Sequence, residues 1–307
     1  MTERRAQPPG IVILGTPRSG TTLLRRLLDA HPNIACPPET YLLGAAARFL
    51  HEERFAQGLR IGVLFGLGYA GFAEDEVLAR LRRFVFEFFE EHAARQGKAR
   101  WAEKTAFDAF HVPAIRRLCG GHVRFICLQR HGLDVVCSLE ELVKKTGGYV
   151  EELHAYLRRH PEPLEAFAHA WIDTARELAA LVDAGDALDL RYEQLVNDPE
   201  AALRRVLEYV GEPWRDGLVA EALAERGAVG FGDWKTYGRK GIDAASVGRY
   251  QALPRPIVRH LAALCNPTLA RLGYPEVAVE DESDADARRR YELGLLINRM
   301  RAEKGSE

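Results

Sequence analysis

Short unbroken apolar runs alternate along this chain with longer stretches in which apolar residues recur every three or four positions. The first run, residues 11–15 (IVILG), has the pattern of a strand buried on both faces. It passes into a loop containing Pro17 and Gly20, then into a helix over about 21–30 whose leucines at 23, 24, 27 and 28 make one apolar stripe. The unit recurs. Residues 123–128 (VRFICL) predict a second buried strand, with a helix over about 133–144 behind it. Residues 187–192 (ALDLRY) predict a third, followed by a helix over 199–210 that opens on Pro199, a residue suited to a first helical turn. Residues 101–104 add a short strand. Strands alternating with helices predict an α/β fold of three layers, a central parallel sheet flanked by helices.

Between these units, residues 41–98 and 145–185 read as helical, and they are the segments left over to shape a substrate pocket. Phe84, Phe86, Phe88 and Phe89 fall in the first of them, at a spacing that predicts core positions. Residues 227–248 are rich in glycine and predict a long loop of the kind that is often functional. Residues 279–307 are highly charged and predict a peripheral helix with a frayed end. Without repeats or a low-complexity linker, residues 1–278 read as one domain carrying that tail.

Composition narrows the function classes. The formal charge of −2, from 42 basic and 44 acidic side chains, argues against a nucleic-acid coat protein while permitting a local basic pocket. Five cysteines without a C-x-x-C pair give no zinc-ligand spacing, and three lie in apolar runs as small buried hydrophobes. A reduced, cytoplasmic setting fits this usage. Residues 1–10 are polar and lack an apolar core, so no signal peptide or membrane span is expected. A homo-oligomer is compatible with all of this.

Gly15-Thr-Pro-Arg-Ser-Gly20-Thr21-Thr22 has the outline of a phosphate-cradling, P-loop-like turn: two glycines bracket four residues between a strand and a helix, so backbone N–H groups can face an anion. The Walker pattern wants Gly-Lys-Ser/Thr, and here Thr21 stands where that lysine would reach a triphosphate. The cation instead lies inside the loop, at Arg18, whose planar fork suits a single phosphate. Arg18, Ser19, Gly20, Thr21 and Thr22 are therefore the candidate anion-binding residues. An ATP-dependent phosphoryl-transfer enzyme and a non-catalytic nucleotide-binding protein are the alternatives.

The run PRSGTTLLRRLLDAHPNIACPPET resembles the 5′-phosphosulfate loop of sulfotransferases that use 3′-phosphoadenosine-5′-phosphosulfate (PAPS), in the branch shared by tyrosylprotein and many bacterial sulfotransferases. The resemblance continues in order over roughly residues 11–275. It implies that Arg130, at the end of the strand VRFICLQ, and Ser138, eight residues on, hold the donor's 3′-phosphate, although this chain reads Arg130-His131 where the family usually has Arg-Asp. It implies that Tyr192 stands near the nucleotide, that Arg239 and Lys240 close over the 3′-phosphate, and that Arg249 of the later GRY joins them. Lys104 in WAEKTAFD matches the lysine beside the transferring group. The histidine base of the cytosolic branch is missing from Lys104-Thr105-Ala106. Glu39, 21 residues after Arg18 as in the tyrosylprotein branch, is the implied general base, with His111 as fallback. The expected reaction is in-line sulfuryl transfer from PAPS, leaving adenosine 3′,5′-bisphosphate, to a hydroxylated small-molecule acceptor without a metal ion.

Overall fold

The computed structural model describes residues 10–149, 151–224 and 241–279, together with positions 285, 288, 289, 291 and 292. Five parallel strands form its main sheet: β1 (Gly10–Leu14), β2 (Ile34–Ala35), β5 (Arg100–Glu103), β6 (Val123–Gln129) and β7 (Ala187–Arg191), in the order β2-β5-β1-β6-β7. Every residue of β1 is buried, as its unbroken apolar run predicts. Successive side chains point to opposite faces, and that alternation builds the layers. Val12 and Leu14 join one core, with side chains from α2 (Leu42–Phe49), α4 (Glu74–Arg95) and α5 (Val112–Cys119). Ile11 and Ile13 join the opposite core, with α1 (Thr21–Asp29), α10 (Pro199–Val210) and α11 (Leu218–Ala224). A third core packs α6 (Gly132–Thr146), α8 (Pro163–Asp183) and α12 (Arg255–Arg271) together.

Several local expectations change. Residues 41–98 are not continuously helical: an antiparallel hairpin of β3 (Glu52–Arg54) and β4 (Arg60–Gly62) interrupts them before α3 (Val63–Tyr69). Gly58, with φ 82°, supplies the left-handed turn residue that no helix accommodates cheaply. Phe86 and Phe89 pack on Trp101 at ring distances of 4.9 Å, whereas Phe84 and Phe88 are exposed and touch each other edge to face. The second helical stretch divides into α7 (Glu151–Arg159) and α8, because Pro161 and Pro163 cannot continue a helix but can open one. Tyr192 is the first residue of a short helix, α9 (Tyr192–Asn197), rather than the last of a strand. All five cysteines are free and buried, and no described helix is long and apolar enough to cross a membrane. In the 279–307 segment six positions are described, of which 285, 288, 289, 291 and 292 are helical and 279 is not.

Candidate active site

Parallel strands present their carboxyl ends along one edge of the sheet, the usual place for a ligand crevice in such folds. β1 leads into the Gly15–Thr22 turn, β5 into Lys104, β6 into Arg130 and β7 into Tyr192. One cleft of about 960 Å³, partly open to solvent, is lined by Arg18, Gly20, Thr21, Thr22, Glu39, Arg130, Ser138 and Tyr192.

The turn is held from within and from behind. Ser19 N–H donates to the Thr16 carbonyl at 3.0 Å, and the Thr16 and Thr174 hydroxyls share a buried hydrogen bond of 2.7 Å. Arg18 and Tyr41 are the non-glycine residues with positive φ among the described residues, 76° and 59°, and both border the cleft chemistry. Such conformations persist only where surrounding contacts enforce them. Gly20 has φ 93°, and a Cβ there would lie 2.4 Å from a ring carbon of Tyr192. The glycine thus lets the aromatic ring close over the loop.

Arg130 joins the loop to the rest of the cleft. Its two terminal nitrogens donate to the carbonyls of Arg18, at 2.6 Å, and Ser246, at 2.5 Å, while its guanidinium carbon sits 4.4 Å from the centre of the Tyr192 ring. The Arg130 carbonyl accepts from the Trp171 indole at 3.2 Å, which fixes the strand end against α8. Arg18 Nε donates to the Ser138 hydroxyl at 3.3 Å. Arg18, Arg130 and Ser138 therefore share one cleft. In the cleft, Arg130 Nε is buried without a hydrogen-bond partner, as expected of a donor whose acceptor is a ligand; Ser19 Oγ is likewise buried and unpartnered, but Ser19 does not line the cleft. His131 stacks on Tyr250 with ring centres 4.9 Å apart, and burial above all pushes its pKa down.

Beneath the loop lies the second half of the site. Lys104 is fully buried and donates to Glu39 Oε1 at 3.1 Å and Thr22 Oγ1 at 3.2 Å. The Glu39 carboxylate also accepts from the Ala106 N–H at 3.3 Å and the Tyr41 hydroxyl at 3.5 Å. Behind this pair stand two enclosed acids that pattern reading missed. Glu103 Oε1 accepts from Thr40 and Thr105, at 2.9 and 2.7 Å, and burial raises its pKa to about 7 against those hydrogen bonds. Asp108 is likewise enclosed, with the backbone of Gly44 beside it, and burial followed by the charge of Glu103 holds its pKa well above the ordinary range. A carboxyl taken out of water favours its neutral form.

The matching family model, described as the sulfotransferase family, covers residues 9–216. The chain belongs to the sulfotransferase family. It is 26% identical over 277 residues to protein-tyrosine sulfotransferase 1 of Danio rerio, spanning 87% of this chain and 72% of the relative. It is 26% identical to protein-tyrosine sulfotransferase 2 of Gallus gallus over 88% of this chain and 70% of the relative. The fold matches the sulfotransferase domain of the curacin biosynthetic pathway, with TM-score 0.61 and 19% identity over 89% of this chain and 100% of that one. It also matches the sulfotransferase domain of the Synechococcus PCC 7002 olefin synthase, with TM-score 0.57, 20% identity and 90% and 98% coverage.

Not every residue expected of this sulfotransferase fold reaches the cleft. His111 is not among the lining side chains; its Nε2 lies 3.5 Å from Glu152, on the far side of the 3₁₀ turn Ala106–His111. Arg249 pairs with Glu141 at 2.7 Å and does not line the cleft. Arg239 and Lys240 lie outside the described residues. Pattern reading also missed Ser246, which receives Arg130, and Trp171 and Thr174, which brace the loop from α8. Each sits more than 40 residues from its partner. Asp134 left a weak signal: an acid in the first turn of α6, it accepts the Gly248 and Tyr250 N–H groups at 2.8 and 3.2 Å.

Proposed function

We propose that this sulfotransferase takes PAPS as its donor and moves the sulfuryl group to an acceptor hydroxyl by in-line displacement, with Glu39 as general base. The supporting observation is Glu39, which lines the cleft that holds Arg18, Arg130 and Ser138 and pairs at 3.1 Å with the fully buried Lys104. The loop amides with Ser19, Thr21 and Thr22 suit one anionic end of the donor, and Arg130 with Ser138 suits the other. The unpartnered buried Arg130 Nε in the cleft agrees with such a ligand.

In the reaction, the acceptor oxygen forms a bond to sulfur as the bond from sulfur to the bridging phosphate oxygen breaks. The acceptor proton passes to the Glu39 carboxylate. Lys104, already held between Glu39 and Thr22, offers its ammonium to charge that develops on the transferring and leaving oxygens. The acceptor is a hydroxylated small molecule entering past Phe107 and Leu142, which line the apolar side of the cleft. A second reading, a tyrosyl hydroxyl of a peptide, is favoured by the names of the relatives.

Glu39→Gln should lower turnover by roughly 10²–10⁴-fold while adenosine 3′,5′-bisphosphate binds within about threefold of wild type. Donor consumption and isothermal titration read the two quantities. Wild-type turnover in that variant would remove Glu39 from the role; nucleotide binding without donor consumption in the wild-type chain would instead support a non-catalytic nucleotide-binding protein. Mass spectrometry of hydroxylated small molecules beside tyrosyl peptides, scored for gain of one sulfuryl group, separates the two acceptor classes.

A further inference from the structure

Away from the cleft, the corner between α7 and α8 gathers three imidazoles around one carboxylate. His160 directly follows α7, Glu165 lies in the first turn of α8, and His169 is one helical turn further on the same face. His160 Nδ1 is 3.1 Å from Glu165 Oε1, and His169 Nε2 is 3.9 Å from the same oxygen. One donor atom from each of the three lies within 4.8 Å of the others. The His160 and His169 rings are nearly parallel, 3.8 Å apart. From α12, His260 Nε2 reaches the other carboxylate oxygen, Oε2, at 3.2 Å.

We propose that His160, Glu165 and His169 form a binding site for a late first-row divalent cation of the zinc class, with His260 as the positioning residue that orients the Glu165 carboxylate. Two imidazole nitrogens and a carboxylate oxygen are the donor set such ions take, whereas calcium and magnesium seek oxygen alone. For metal–ligand bonds near 2.1 Å, tetrahedral geometry separates neighbouring donors by about 3.4 Å. The observed contacts of 3.1 and 3.9 Å to Glu165 bracket that value, and the two stacked rings would swing out of parallel on binding so that each imidazole plane contains the ion. Three protein ligands leave a coordination position open to water.

The location gives the ion a structural consequence. The ligands join the end of α7 to the start of α8, and His260 ties that corner to α12. α8 also carries Trp171 and Thr174, which brace Arg130 and the loop. None of the four residues lines the cleft, so the ion is set apart from sulfuryl transfer.

The test uses untagged full-length chain, stripped with chelator and dialysed, titrated with Zn²⁺ by calorimetry and with Co²⁺ by visible absorption. One ion per chain should bind, with a cobalt band typical of low coordination and a midpoint of thermal unfolding raised by several degrees. His169→Ala should weaken binding at least ~100-fold and abolish the thermal shift. His260→Ala should weaken it roughly 10–100-fold, and His260→Gln, which keeps an N–H for the carboxylate, should recover most of that loss. Both side chains, His169 and His260, are partly exposed, so the variants should unfold without metal at the wild-type temperature. No saturable binding of either ion to wild type, or wild-type affinity in His169→Ala, would overturn the proposal.

Discussion

Glu103 shows how far one residue's environment can depart from its sequence signature. It closes β5, next to Lys104, with its carboxyl wholly enclosed. Two threonine hydroxyls converge on Oε1, while Oε2 is buried with no donor, and burial raises the pKa from the ordinary 4.5 to about 7. Below about pH 4.5 the folded and unfolded chains both keep this proton. Between there and about pH 7 the unfolded chain ionises first, so stability contributed by this group falls as pH rises, then levels off. Asp108, with its pKa raised in the same direction, adds to the slope. Glu103→Gln should flatten the profile of unfolding free energy against pH across that window, measured by urea denaturation. An unchanged slope would mean that Glu103 ionises in the folded protein as it does in the unfolded chain.

At the scale of elements, the unit of β1, loop and α1 depends on one backbone conformation. Gly20 caps α1 in the left-handed region, with φ 93° and ψ 14°, and no side chain caps that terminus. The first turn of α1 therefore opens on the cleft, which Gly20, Thr21 and Thr22 line. Gly20→Ala meets two penalties: a left-handed alanine, about 1–2 kcal/mol, and a Cβ pressed against the Tyr192 ring. The variant should lose about 1–3 kcal/mol of stability and bind adenosine 3′,5′-bisphosphate at least ~10-fold more weakly. Equilibrium denaturation and calorimetry measure these separately; full affinity in this variant would show that the turn does not hold the nucleotide. α10 offers the contrast of an element closed by its own caps. Asp198 accepts the Ala201 N–H at 3.0 Å, Pro199 opens the helix, and Gly211 ends it with φ 78°.

Across the whole molecule, the cleft is a meeting of parts distant in the chain. Arg130 binds the Arg18 and Ser246 carbonyls, 112 and 116 residues away, and so connects the strand end, the loop and the segment leading into α12. A ligand that bridges these parts should stabilise the folded state by mass action, about 2.7 kcal/mol at a hundredfold excess over its Kd. Thermal unfolding with and without adenosine 3′,5′-bisphosphate should show the midpoint rising with ligand concentration in wild type and staying nearly constant in Arg130→Ala. An equal rise in both would detach Arg130 from nucleotide binding. Arg130→Ala should also unfold at lower temperature without ligand, since it removes two hydrogen bonds to carbonyls, one of them buried.

Local pattern carried much of this fold. The run over β1 read as a buried strand because it is unbroken and short, and that over β6 because Arg124 alone interrupts its apolar residues before Gln129. Proline and glycine marked both ends of α10, and the spacing of glycines in the Gly15–Thr22 turn was enough to point to an anion. Shorter elements escaped: β2 has two residues, too few for any period, and the hairpin of β3 and β4 is polar and exposed. Tyr192 read as strand because its apolar neighbours alternate up to the point where α9 begins. What periodicity cannot reach is the partner of each polar group. The raised pKa values of Glu103 and Asp108, the brace from Trp171 and Thr174, and the turning of His111 toward Glu152 all follow from sheet order and helix packing. Residues four apart meet by helical geometry alone, but residues a hundred apart meet only once the strands have paired and the layers have closed.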